Sequence, residues 1–204
     1  MSQGLRYKFN GSTFSVQTGY GGTSPTPSIT GITQAEPPVV STANANVNFA
    51  DGDVVKPSTI VGATQFNGNL YVVDNVASGS LEFAGEDNTQ GDAYVSGGLL
   101  DKVTFSQFCE LTGVNQQDGS ADQIEVSTIC STAKEFEQGL SDSGTLQLDY
   151  NAAPNSTVQT ALRAAKVSGD QVAVKLVFPN SGGTVIMIGT IQQQSITGQV
   201  NGVW

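Results

Sequence analysis

The side chains that most often carry out catalysis or bind metals are scarce in this sequence. There is no histidine, which removes the commonest general base, the commonest metal ligand and every Ser-His or Cys-His catalytic arrangement. No glycine-rich stretch ends in the Gly-Lys-Ser/Thr of a phosphate-binding loop. The paired carboxylates of a glycosidase have no fixed sequence spacing, but the chain has a single tryptophan and few other aromatic rings to bind sugars. The residues therefore indicate a protein that is not an enzyme and needs no cofactor.

Cys109 and Cys130 are the two cysteines of the chain, too few for a zinc site at this spacing. One interpretation makes them a cross-strand disulfide or a redox pair. The other makes them two buried thiols that face each other in a core. The second is favoured, because a cytoplasm keeps thiols reduced.

Two acidic groups could offer oxygen ligands to a cation: Glu86–Asn88 with Asp92, and Asp51–Asp53. Neither group follows the ligand spacing of an EF-hand loop. Asp, Asn and Gly are also the usual residues of turns. We expect solvated turns at both places, and no metal.

The net charge of −10 argues against binding nucleic acid through its phosphates, which requires clustered Lys and Arg. Residues 28–98 hold eight acidic side chains and one basic side chain, whereas the rest of the chain holds ten acids and seven bases. This asymmetry indicates two units with different surroundings. No apolar run is long enough to span a membrane, and the N-terminus lacks the apolar stretch of a secretion signal. We therefore expect a protein that is made and kept in a cytoplasm.

The elements that must position these residues are mostly strands. Near the N-terminus, apolar residues alternate on both sides of an Asn10-Gly11 turn, which predicts a hairpin, and a linker follows at Gly19–Ser28. Residues 29–98 have no helical period and predict a small all-β barrel or sandwich. Its strand candidates are Pro38–Thr42, Asp53–Lys56, Leu70–Asp74 and Ser80–Phe83.

A second hairpin is predicted from Val103–Gly113 and Gln123–Ser131, folded about Gly119 and Ser120. This register places Cys109 opposite Cys130 and separates an apolar face from a largely polar, acidic one. The polar face carries Ser106, Glu110, Thr112, Glu125 and Ser127.

The last part of the chain predicts one helix among strands. Thr157–Lys166 has an apolar stripe at helical spacing, Ser156 as its N-cap and Gly169 as its stop. The strands are Thr145–Tyr150, Val172–Phe178 and Thr184–Ile196.

The C-terminal half contains an ordered series of motifs. The series begins with three stretches, Cys109–Gly113, Glu125–Thr128 and Lys134–Leu140. It continues with Asp142–Gly144, the strand Thr145–Tyr150, the helix Gln159–Lys166 and the strand Val172–Phe178. This series resembles the major tail tube proteins of lambda-type siphophages and, with the first hairpin, covers about 130 residues. In that family a further strand usually follows the position of Trp204, so we expect either a shortened C-terminal region or an incomplete sequence.

Residues 28–98 carry a separate resemblance. Ile29–Thr33, Asp51–Val55 and Tyr71–Val73 resemble the small β-barrel repeat named for the E1 FCCH domain, which recurs in phage structural proteins. The usual His-Gly before the Asp-Gly turn is absent here, around Asn48-Phe49. This departure affects the expected shape of a loop, since the repeat has no catalytic role.

Together the resemblances imply a mainly β fold. A tail-tube β-sandwich with one flanking α-helix is expected from residues 1–27 and 99–204. An inserted small all-β barrel domain is expected from residues 28–98, on the tube exterior, entered and left through linkers near Gly19–Ser28 and Gly97-Gly98.

The implied function is that of a structural virion protein. Subunits would form hexameric rings stacked as the phage tail tube, through which DNA passes without specific binding at ejection. The implied partners are further copies of the chain and the tail terminator, tape measure and tail tip proteins, with no membrane. The implied location is the virion tail, after assembly in the host cytoplasm. A virion decoration protein or a glycan-binding adhesin is the alternative.

Two sets of residues follow as candidates for assembly. The polar face of the predicted hairpin supplies lumen-facing candidates, since like charge repels DNA: Glu110, Glu125, Ser106 and Ser127. Because most of the negative charge lies in residues 28–98, this assignment depends on the hairpin and not on overall acidity. The polar stretch between the predicted strands supplies candidates for contact with the next ring: Asn115, Gln116, Gln117, Asp118 and Asp122.

Overall fold

The protein is described here from a computed structural model, which covers residues 11–21, 26–117, 119–125, 133–134, 136–141, 144–179 and 182–195. The fold is mainly β, as predicted. The strands are β1 Thr13–Tyr20, β2 Ile29–Ile32, β3 Val39–Thr42, β4 Val54–Val61, β5 Tyr71–Asp74, β6 Ser80–Phe83, β7 Ser96–Gln107, β8 Leu111–Gln117, β9 Ala121–Glu125, β10 Phe136–Ser141, β11 Thr145–Tyr150, β12 Gln171–Val177 and β13 Thr184–Thr190. The helices are α1 Ala45–Asn48 and α2 Thr157–Ser168, with a 3₁₀ turn at Thr64–Phe66.

The chain divides into two compact units, residues 1–109 with 153–196, and residues 110–152 with 197–204. The first unit contains a nine-stranded antiparallel sheet in the order β13-β12-β1-β7-β4-β5-β6-β3-β2. Strand β7 joins its two parts, because its first half pairs with β4 and its second half pairs with β1.

The part of this sheet from β7 to β2 curls back on itself. Ser28 forms a bridge with Leu99, and the Leu100 N–H donates to the Pro27 carbonyl at 2.9 Å, so the chain before β2 returns to β7. The enclosed core consists of Ile29, Ile32, Val40, Phe49, Val55, Ile60, Ala63, Phe66, Tyr71, Val73, Leu81, Phe83 and Leu100. The strands predicted in residues 29–98 are confirmed, and they enclose a barrel-like core. The short helix α1 and the 3₁₀ turn are additions that the sequence did not predict.

Gly97 and Gly98, predicted as a linker, lie inside β7. Both have positive φ, of 74° and 109°. A Cβ added at Gly98 would lie 2.9 Å from Ile60 Cγ1 and 3.1 Å from Ile29 Cβ. These glycines therefore let β7 approach the barrel core closely, and the linker interpretation of them was wrong.

The other part of the sheet consists of β7, β1, β12 and β13, with α2 packed on β1, β12 and β7. Its apolar residues alternate as strands require, and Phe14, Val16, Val174 and Leu176 are buried. The prediction of α2 is confirmed. The Ser156 hydroxyl accepts the Gln159 N–H at 3.2 Å, and Gly169 ends the helix in the left-handed conformation.

The described residues of the second unit form a long antiparallel hairpin whose two arms each consist of two strands. Strand β8 pairs with β11, from Gln117 opposite Thr145 to Leu111 opposite Tyr150. Farther along the same arms β9 pairs with β10, with Glu125 opposite Phe136. The residue numbers of opposite partners add up to nearly the same value in both pairs, so the two ladders continue one register.

This pairing contradicts the predicted hairpin about Gly119 and Ser120. That prediction joined Val103–Gly113 to Gln123–Ser131, but β8 takes its partner from Thr145–Tyr150 instead. The observed register sets Val114 opposite Leu148 and leaves Asn115 opposite Gln147 on the reverse face. The pairing of β8 with β11 therefore gives the hairpin one apolar and one polar face. The turn residues near Gly119 did not predict this pairing, because the two strands are distant in sequence.

Candidate assembly surfaces

Strand β13 is the edge strand of the nine-stranded sheet, and within the described residues β12 is its sole strand neighbour. The Phe178 N–H donates to the Gly183 carbonyl at 3.0 Å, and in an antiparallel ladder such bonded pairs alternate with unbonded ones. In the register that sets Val177 opposite Thr184, the N–H groups of Thr184, Ile186, Ile188 and Thr190 then face away from β12. The edge therefore presents a row of open donors and acceptors.

The composition of β13 gives this edge none of the usual protection against pairing. Edge strands in proteins that stay monomeric often carry lysine or proline, or are bulged. Strand β13 has the sequence Thr-Val-Ile-Met-Ile-Gly-Thr and an uninterrupted register with β12. Val185 is exposed, and Ile186, Met187 and Ile188 are half-buried. The strand is thus suited to pairing with a further strand.

The second half of β7 is also open on one side. Strand β4 pairs with β7 up to Lys102, and β1 pairs with β7 from Val103 to Gln107 on the opposite side. Among the described residues no strand is hydrogen-bonded to the remaining side of residues 103–107. Within the part of the chain that the structure describes, one protomer therefore has two different unpaired edges, at the two sides of the four-stranded part of its sheet.

The barrel strands and the four-stranded part share a second apolar core. Val54 and Leu70 from the barrel side are buried with Val103 and Ala173, and Val72, Phe105, Ile186 and Ile188 pack around them. A hydrogen bond from the Leu70 N–H to Gln171 Oε1, at 2.9 Å, crosses the same boundary. Residues 28–98 are therefore packed directly against the rest of the first unit.

The hairpin of the second unit has one apolar face. Val114, Leu146 and Leu148 are all half-buried, whereas Gln147 and Asp149 on the other face are exposed. Two-stranded hairpins in water have marginal stability unless their apolar face is covered. This face therefore favours a further contact.

Four of the five residues predicted to contact the next ring lie on these arms and not in a loop. Asn115, Gln116 and Gln117 belong to β8 and are exposed, and Asp122 belongs to β9. Asp118 lies outside the described residues. Whether any of them contacts a second ring stays a prediction.

The lumen-facing candidates that the structure describes lie in different elements. Ser106 lies in β7 opposite Val16, and its hydroxyl is 3.0 Å from that of Thr18. It alternates with Phe105, so it points away from the shared core and towards the sheet face on which α2 packs. Glu110 is half-buried in the turn before β8.

The other two candidates lie farther along the chain. Glu125, at the end of β9, is exposed and paired with Lys134 at 3.0 Å. Ser127 lies outside the described residues. None of these positions establishes which residues line a lumen.

The cysteine prediction is wrong for Cys109, which is free and exposed. The predicted register that buried it opposite Cys130 is replaced by the β8–β11 pairing. Cys130 lies outside the described residues.

The acidic groups form turns whose carboxylates bond to the protein itself. Asp51 Oδ1 accepts the Val76 N–H at 2.9 Å, and Asp53 Oδ2 accepts the Ala50 N–H and pairs with Lys102. Two hydrogen bonds from Thr89, one from its backbone N–H and one from its hydroxyl, lower the pKa of Asp87. Within the described residues no group of three or more acidic or cysteine side chains is arranged to hold a metal ion.

Open sheet edges such as those of β13 and β7 are templates for pairing with further strands, as in proteins that assemble. Residues 86–197, more than half of the chain, match the family described as phage tail tube, TTP, lambda-like. The chain belongs to this family of structural virion proteins. No curated protein matches the chain significantly. In the described residues no helix is long and apolar enough to cross a membrane.

The match begins in the barrel region at residue 86 and includes β7, the hairpin, α2, β12 and β13. It makes the protein a component of the virion tail, which self-assembles into a tube with other tail proteins. The resemblance noted in the C-terminal half is thereby confirmed for the tail tube family. Sequence reasoning missed the two open edges, because the edge position of a strand depends on pairing partners that are distant in sequence.

Proposed function

We propose that the protein forms closed hexameric rings by pairing the open edge of β13 in one subunit with the open edge of β7 in the next. The two edges differ, so the contact is head-to-tail, and a head-to-tail contact repeated by rotation generates a ring. Edge pairing satisfies the open N–H and C=O groups of both strands. The observation that supports this most directly is the row of outward N–H groups along β13.

The rings then stack into the tail tube, which conducts DNA at ejection. The hairpin carries the stacking contact, through the arm that contains Asn115, Gln116 and Gln117, continued by Asp118 and Asp122. Its half-buried apolar face supports this role, because that face is completed by a neighbour. Tail terminator, tape measure and tail tip proteins contact the two ends of the tube, and assembly takes place in the host cytoplasm.

Glu110 and Glu125 face the lumen in this proposal, with Ser106 and Ser127 as further lining residues. Carboxylates along the conduit keep DNA from adhering, since like charges repel. The Ser106 hydroxyl is engaged with Thr18 and Glu125 is paired with Lys134, so Glu110 is the strongest assignment among the described residues. Residues 28–98 form an FCCH-like inserted domain on the tube exterior, a role supported by the apolar core that their strands enclose together with Leu100.

The edge-pairing proposal is tested by Thr190→Pro, with Thr190→Ala as the matched control. Thr190 is exposed, and its N–H faces away from β12, so proline removes a donor of the open edge without breaking the β12–β13 ladder. We expect wild type and Thr190→Ala to form rings and tubes in electron micrographs. Thr190→Pro should remain monomeric by analytical ultracentrifugation.

Circular dichroism of the Thr190→Pro monomer checks that its fold is intact. Rings of wild-type abundance in a folded Thr190→Pro protein would contradict the pairing of this edge.

A further inference from the structure

A shallow groove of about 450 Å³ lies in the first unit between the barrel strands and the edge strand β13. Gly52, Val72, Ala84 and Gly85 form its barrel side, and Thr184 and Ile186 form its β13 side. Every lining residue except Thr184 is apolar or a glycine. The two residues from β13 are among those whose N–H groups point to the open edge.

Small residues line much of the groove, so that open space remains above its floor. A Cβ added at Gly52 or Gly85 would have no heavy atom within 4 Å. Ala84 is exposed, and its backbone N–H is already bonded to the Val72 carbonyl at 2.9 Å. The floor is therefore formed by ordered backbone, with room above it for side chains from another molecule.

The two walls of the groove are held in fixed positions by the shared core. Val72 and Ile186, one from each wall, both pack against the buried group of Val54, Leu70, Val103 and Ala173. A preformed site avoids the cost of ordering its walls on binding.

A strand that is added beyond β13 must lie beside this groove. Adjacent strands in a sheet are about 4.8 Å apart, and alternate side chains of an added strand point to the same face as Thr184 and Ile186. Those side chains would enter the space above Ala84 and Gly85. An added strand gains affinity from backbone hydrogen bonds and specificity from pockets for its alternate side chains. Here the edge of β13 would provide the hydrogen bonds, and the groove would provide the pocket.

We propose that the groove receives side chains of an edge strand from a second copy of this chain, so that residues 28–98 form part of the ring interface. This inference rests on the proposed ring assembly and adds a partner surface to it. The incoming strand is the open half of β7, Val103 to Gln107. On its groove-side face Phe105 is half-buried and Gln107 is exposed, whereas Val103 is buried in the core of its own subunit. The barrel then does more than decorate the tube, because one of its walls selects the neighbouring subunit.

The test is Ala84→Trp, which fills the groove from an exposed position, with Ala77→Trp as the matched control. Ala77 is exposed on the same barrel and does not line the groove. We expect Ala84→Trp to lower the fraction of protein in rings at least tenfold by sedimentation velocity, with a monomer melting temperature close to that of wild type. Ala77→Trp should assemble as wild type does.

The outcomes separate this inference from the ring proposal. If wild type and Ala77→Trp form rings and Ala84→Trp forms them equally well, the groove does not belong to the interface and this inference is wrong. If wild type forms no rings, the proposed function itself fails. Loss of rings in both tryptophan variants would mean that the effect is not specific to the groove, which also overturns the inference.

Discussion

At the scale of single residues, Ser156 has one well-defined role. Its hydroxyl accepts the Gln159 N–H, and the Gln159 side chain in turn accepts the Ala153 N–H at 2.9 Å. The first bond satisfies an N–H at the start of α2 that has no partner within the helix. The second fixes the loop that leads into the helix.

We predict that Ser156→Ala lowers the free energy of unfolding by about 1 kcal/mol, the usual effect of removing an N-cap. For a chain of this length that corresponds to a melting temperature lower by about 2–4 °C. Thermal unfolding of the monomer by circular dichroism measures it. Thr157→Ala, at the next and exposed position, is the control and should change the melting temperature far less. Equal effects of the two substitutions would contradict the capping role.

At the scale of elements, the hairpin illustrates what the sequence could and could not predict. The strand Thr145–Tyr150 was predicted with its observed bounds, because Leu146, Leu148 and Tyr150 alternate with polar residues. Its partner was predicted wrongly, because a local turn near Gly119 offered a shorter connection. Pairing between strands far apart in sequence depends on matching faces, which a local pattern does not specify.

The same distinction applies to the sheet. Local alternation and turn residues located β3, β4, β5 and β6 but not β2, and the capping residues located α2, which ends at Ser168 and not at Lys166. The joining of the barrel to β1 and β12 through one long strand, β7, was not predicted, because two glycines in its middle imitate a linker. The burial of Cys109 was predicted wrongly for a related reason, because it depended on the assumed pairing of Val103–Gly113 with Gln123–Ser131.

We predict that Leu146→Asp leaves rings intact and prevents them from stacking. Leu146 lies opposite Gln116 on the half-buried apolar face of the hairpin, so a carboxylate there opposes an apolar contact. Gln147→Asp adds the same charge to the exposed reverse face and should stack normally. Electron micrographs of both variants provide the measurement, as counts of single rings and tube lengths. Tubes of wild-type length from Leu146→Asp would exclude this face as the stacking contact.

At the scale of the whole molecule, membership of the tail tube family and the two open edges lead to one account of function. The family match establishes a structural component of the virion tail. In the proposed function the edges join one subunit to the next, and the hairpin joins one ring to another. The net charge of −10 has little bearing on the conduit, because eight of the acidic residues lie in residues 28–98, which are assigned to the exterior.

Electron microscopy of the purified full-length protein tests the central claim most directly. The account predicts rings with sixfold symmetry in end views and tubes of regularly stacked rings in side views, at concentrations where edge pairing is complete. A folded protein that remains monomeric at all concentrations, with no rings even after tail tip proteins are added, would contradict it.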